Sequence, residues 1–145
     1  MIYLIGSLRN TRAVLLGHRL RCAGVEVFDD WHAAGPEADD KWREYEQRRG
    51  RTYKEALRGE AARHVFEFDW DHLVKADGAV LVLPCGKSGH LELGWILGRG
   101  KPGFILMEGE PERWDVMYQF CTRVCFSVDD LFFRLCRHLD MGRVL

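Results

Sequence analysis

Polar and apolar positions change their period several times along the chain, and each change marks an element. "IYLI" (2–5) is an unbroken apolar run of strand length, and the Gly, Ser and Asn of "GSLRNTR" mark a loop after it. Apolar residues return at helical spacing through "AVLLGHRLRCAG" (13–24), so the chain opens as strand, loop, helix. "VEVF" (25–28) predicts a second strand. "DDWHAAGPEADD" (29–40) predicts a loop whose Asp39 and Asp40 cap the charged helix "KWREYEQRR", and "TYKEALRGEAARHVFEFDWDHLVKA" (52–76) predicts a second helical stretch. "GAVLVLP" (78–84) has no polar alternation, as expected of a central parallel strand covered on both faces. A helix from about Gly89 to Arg99 follows, then the strand "GFILM", a short helix near "PERWDVMYQF", the strand "RVCFS" and a final helix "VDDLFFRLCRHL".

Parallel strands need helical crossovers lying on the sheet faces. The alternation therefore predicts an α/β fold: a flavodoxin-like, five-stranded parallel sheet with helices on both faces, forming a single domain over residues 1–145. In such sheets ligands bind beyond the carboxyl ends of the strands, which selects three loops: Gly6 to Thr11, Asp29 to Asp39, and Pro84 to His90.

Composition narrows the partners. The chain has 145 residues, 47% of them apolar, enough to bury a full core without metal or disulfide. Its 21 basic and 22 acidic residues leave a formal net charge of -1, too little to draw in a nucleic-acid polymer or an anionic membrane. With no leader pattern and no membrane-length apolar run, a cytoplasmic location is expected. Cys22, Cys85, Cys121, Cys125 and Cys136 are odd in number and form no C-x-x-C, which predicts buried thiols rather than a disulfide framework or a zinc ribbon.

The third loop opens "LPCGKSGHLELG" (83–94), which admits three chemistries. A phosphate loop of the form G-x-x-x-x-G-K-[ST] would need Gly where Leu81 stands. Lys87 and Ser88 can still meet an anion at a helix start, and Ser88 alone reads as an N-cap. A zinc deaminase needs H-x-E followed by P-C-x-x-C; here "PC" precedes "HLE", Ser88 replaces the second Cys, and His90 reads as a surface residue of the first helical turn. What remains is Glu92, expected in the first turn of a helix that begins at the ligand edge. The helix dipole would hold such a carboxylate ionised, as a nucleophile requires, although an acid there also serves merely to complement the dipole.

Larger blocks carry a resemblance. "IYLIGSLRN", "FDWDHLVKADGAVLVLP" and "GHLELGWILGRGKPGFIL" are together similar, in order and spacing, to the nucleoside 2-deoxyribosyltransferase family and its relatives, the 2'-deoxynucleoside 5'-monophosphate N-glycosidases. The resemblance implies that Glu92 is the nucleophile attacking the anomeric carbon, with a glycosyl ester as intermediate; water would then give hydrolysis and a second base transfer. It implies that Tyr3 orients that carboxylate and that Asp69 protonates or holds the leaving base, with Asp71 its competitor and Asp77 structural. Gly6, Ser7 and Arg9 of "GSLRN" look like the residues contacting a 5'-phosphate, with Gly86, Ser88 and Gly89 on the facing loop.

Two departures from the family bear on the 5' side. Gly86 stands where the transferases place an Asp that holds the sugar hydroxyl, which favours an anionic 5' group. Asp115 stands where the family presents Asn or Ser from a neighbouring subunit, and a carboxylate there would repel phosphate. Phosphate and hydroxyl both remain open. Asp30 and Trp31, in a segment longer and more charged than its family counterpart, are candidates to hydrogen-bond and stack a base, or Trp31 seals the core edge. The resemblance further implies no metal or other cofactor, a small-molecule nucleoside or nucleotide ligand, and a homodimer or larger homo-oligomer. Competing readings are a non-catalytic nucleotide-binding or sequestering module and an NAD-type N-ribosyl hydrolase.

Overall fold

The apolar runs 2–5, 78–82 and 103–106 are buried at every position, because a parallel strand covered on both faces has no solvent side. The computed structural model describes residues 1–139; the remainder of the expected domain, 140–145, lies outside the described residues. The chain runs β1 (Ile2–Ile5), α1 (Thr11–Cys22), β2 (Val27–Phe28), α2 (Ala38–Arg48), α3 (Tyr53–Ala56), α4 (Glu60–Lys75), β3 (Gly78–Val82), α5 (Lys87–Gly98), β4 (Gly103–Leu106), β5 (Arg123–Cys125) and α6 (Val128–His138). Two 3-10 turns, Asp30–Ala34 and Val116–Phe120, interrupt the loops after β2 and β4.

All strand pairs are parallel and the order is β2-β1-β3-β4-β5, the flavodoxin-like arrangement expected. Side chains alternate across the sheet, so Ile2 and Leu4 face one way and Tyr3 and Ile5 the other. The first pair packs with Leu16 and Leu20 of α1 and Leu131 and Leu135 of α6. The second packs with Leu73 of α4 and Leu93 and Ile96 of α5. Tyr3 therefore rises from mid-sheet, between Phe28 and Ala79, into the layer formed by α4 and α5.

Several local expectations are corrected. β2 begins at Val27 rather than Val25, because the N–H of Val25 donates to Leu20 at the end of α1 after Gly24 turns the chain at φ 81°. α2 begins at Ala38, so Asp39 and Asp40 lie inside its first turn and do not cap it. The stretch 52–76 is two helices: Thr52 and Glu55 close a capping box on α3, and Gly59, in extended conformation, starts α4. The cysteines are all unpaired as expected, but only Cys125 is fully buried, and Cys22 lies exposed at the end of α1. Among the described residues no helix is long and apolar enough to cross a membrane.

Candidate active site

β1 and β3 are neighbours whose chains leave the sheet toward opposite faces, β1 into α1 and β3 into α5. The point between the two exits is the switch point at which sheets of this topology take their ligands. Asn10 fastens the two exits together. Its buried Nδ2 donates to the carbonyls of Val82 at 3.1 Å and Pro84 at 3.2 Å, while its Oδ1 accepts from the N–H of Arg12 and caps α1. The loops 6–10 and 83–86 thus meet through one side chain that the sequence reading treated only as a turn residue. Its signal was an Asn immediately before a helix.

α5 approaches the sheet closely at Gly89. A Cβ there would lie 2.7 Å from Cγ2 of Ile5 and would also collide with Sγ of Cys85. Glu92 follows on the sheet-facing side, and the hydroxyl of Tyr3 donates to its Oε1 at 3.2 Å. Asp69 of α4 completes the group. Its Oδ1 is buried and has no hydrogen-bond partner among the described residues, whereas Asp71 is exposed. Tyr3, Glu92 and Asp69 are thereby brought together from β1, α5 and α4. Asp77 lies at the opposite edge of the sheet, its N–H bonded to Met1.

Electrostatics reverse one expectation. The helix starts at Lys87 with Gly86 as its N-cap, so Ser88 is an exposed first-turn residue and Glu92 sits in the second turn, beyond the dipole's strongest reach. Burial, then the charge of Asp69, push the Glu92 carboxyl up to about 7, and the hydrogen bond from Tyr3 opposes them. The site therefore resists ionisation of Glu92. Burial likewise raises Asp69, opposed by the nearby His72. Tyr3 is pushed far above the ordinary phenol value by burial and by both carboxyls, so it remains a donor. Cys85 is held up at about 11 by burial and by Glu92, which keeps it a thiol at neutral pH.

The residues expected to bind substrate divide into two sets. Ser7 accepts from the N–H of Arg9 at 3.3 Å, and the Arg9 guanidinium donates to Asp40 at 3.0 Å and to the Pro36 carbonyl at 3.3 Å, tying this loop to the start of α2. Gly6 leaves room for α1 and Trp31: a Cβ would lie 2.9 Å from Ala13 and 3.2 Å from the Trp31 ring. Trp31 itself closes the core edge, its indole N–H donating to Leu4 at 2.8 Å. Asp30 and Asp115 are exposed at their 3-10 turns, Asp115 accepting from Met117, and among the described residues neither hydrogen-bonds Tyr3, Glu92 or Asp69.

Sequence reasoning also missed a pair. His90 is half-buried rather than a surface residue: Nδ1–H donates to the Gly86 carbonyl at 2.8 Å, which in the neutral ring leaves Nε2 to accept from the Tyr118 hydroxyl at 2.9 Å. This contact lays the 116–120 turn against the start of α5. No local pattern could announce a bond spanning 28 positions. Compared with known proteins, the chain matches no protein-family model and no curated protein.

Proposed function

We propose that the protein cleaves the N-glycosidic bond of a nucleoside or nucleoside 5'-monophosphate, with Glu92 as nucleophile. The observation that carries this reading is the Tyr3 to Glu92 hydrogen bond beside a second carboxyl, Asp69, at the switch point where such sheets take their ligands. Two interacting carboxyls in a partly buried site settle into different protonation states; here Asp69 ionises first, and Glu92 becomes a nucleophile once it too loses its proton.

In the proposed reaction a Glu92 oxygen bonds to C1' as the C1'–N bond breaks, and the electron pair leaves on the base. Asp69, already a carboxylate when Glu92 ionises, holds the leaving base by its N–H, and the base takes its proton from solvent. Water then attacks C1' of the ester while Asp69 takes its proton, and Glu92 departs as a carboxylate. An acceptor base in place of water gives transfer. Tyr3 holds one carboxylate oxygen and favours its charged form; Gly6, Ser7, Arg9, Gly86, Ser88 and Gly89 form the 5' side.

The near-neutral net charge supports a small-molecule substrate over a nucleic-acid polymer. Exposed aromatic residues, Phe66 at 62%, Phe120 at 72% and Trp114 at 80%, support a homo-oligomer covering the α4 side and the turn after β4. One observation favours a binding-only module: a carboxyl pushed up to about 7 is substantially neutral in the cell.

Incubation with nucleosides, deoxynucleosides and their 5'-monophosphates, with and without an acceptor base, followed by chromatography, tests the proposal. Free base alone indicates a hydrolase and a new nucleoside a transferase. No product beyond that of Glu92→Gln, with substrate still bound, leaves the binding module.

A further inference from the structure

Arg9 projects from the loop beside the switch point, yet its guanidinium is already engaged. Nη2 donates to Oδ2 of Asp40 at 3.0 Å and Nε to the Pro36 carbonyl at 3.3 Å. Asp40 holds a second cation, for Nη2 of Arg43 lies 3.1 Å from its other oxygen. The Arg9 and Asp40 side chains are 70% and 42% exposed, and a pair so open to water is weak. A phosphate monoester is close to a dianion and can take the same fork of N–H donors in bidentate fashion.

We propose that Asp40 is a built-in competitor for the anion-binding position of Arg9, and so sets how strongly a 5'-phosphate is preferred over a 5'-hydroxyl. The inference rests on the reading of loop 6–9 as the 5' side of the proposed site. Exchange is easy for two reasons. Asp40 keeps Arg43 when Arg9 leaves it, and Arg9 trades one exposed carboxylate for a more highly charged partner. An Asp40 that stayed in place beside the phosphate would repel it, so the carboxylate lowers phosphate affinity whether it holds the guanidinium or faces the ligand. Departure of Arg9 also gives up the Pro36 carbonyl, which loosens the segment leading into α2.

The test is calorimetric titration with inorganic phosphate, 2-deoxyribose 5-phosphate and 2-deoxyribose, probes that need no knowledge of the base. Asp40→Asn should bind both phosphate probes roughly two- to fivefold more tightly than the unmodified protein and the free sugar equally well. Asp39→Asn removes the same charge from the same helical turn and should match the unmodified protein. Equal gains in both variants would mean a general field effect and overturn the proposal, as would weaker phosphate binding by Asp40→Asn, which would make Asp40 a support for Arg9. Arg9→Ala separates the inference from its premise. If it leaves phosphate affinity untouched, the 5' reading of the loop fails; if it lowers that affinity while Asp40→Asn changes nothing, only the competitor role fails.

Discussion

The hydroxyl of Tyr3 donates to Oε1 of Glu92 across 3.2 Å, joining the first strand to a helix 89 positions later. Tyr3 is almost fully buried and held far from ionisation, so its hydroxyl keeps a proton to donate and the bond favours the charged carboxylate. Burial and Asp69 pull the other way, and the balance lies at about 7. A carboxyl poised there changes state with small changes in its surroundings.

The acid limb of kcat/KM should accordingly fall near pH 7, activity rising as Glu92 loses its proton. Tyr3→Phe removes the one contact that favours ionisation and should move the limb to higher pH. Asp69→Asn removes a raising charge and should move it lower, besides reducing the rate. pH–rate profiles of the variants check this; shifts in the same direction for both would contradict the assignment.

Glu92 should also cost stability in a pH-dependent way. Below its ordinary value of 4.5 the carboxyl is protonated folded or unfolded, and it costs nothing. Between 4.5 and about 7 the unfolded chain releases the proton first, so stability falls as pH rises; above that the loss is complete. Glu92→Gln should match the unmodified protein at pH 4 and exceed it at pH 8 by on the order of 3 kcal/mol, while losing base release. Denaturant unfolding at the two pH values measures the difference.

Two glycines of α5 should behave oppositely. Gly89→Ala drives a methyl into Ile5 and Cys85 and should destabilise by about 1 to 3 kcal/mol while lifting Glu92 from Tyr3. Gly94 meets nothing within 4 Å, so Gly94→Ala should stabilise the helix by about 0.5 to 1 kcal/mol. Thermal melts with activity assays on both variants resolve the contrast.

Asn10→Ala removes a cap and strips two carbonyls of their donor, an expected loss on the order of 2 to 3 kcal/mol. Asn10→Asp keeps the capping oxygen but turns a donor into an acceptor facing those carbonyls, so it should also destabilise. Recovery of full stability by Asp would reduce Asn10 to a simple cap. Unfolding curves of the two variants decide between these.

The sequence by itself determined the sheet, its parallel sense, the alternation of helices and the loops at the ligand edge. Those follow from the period of the apolar residues and from the rule that parallel strands need crossovers. It also singled out Tyr3, Glu92 and Asp69, through a resemblance in block order. Which of Asp69 and Asp71 turns inward, where α5 starts and which state Glu92 prefers were decided only in three dimensions, because burial and the field of a distant carboxyl are sums over contacts that no local window contains. The same holds for Asn10 with the end of β3, for His90 with Tyr118, and for the engagement of Arg9 by Asp40. Each is a hydrogen bond between segments far apart in the chain, and tertiary packing alone brings such partners within reach.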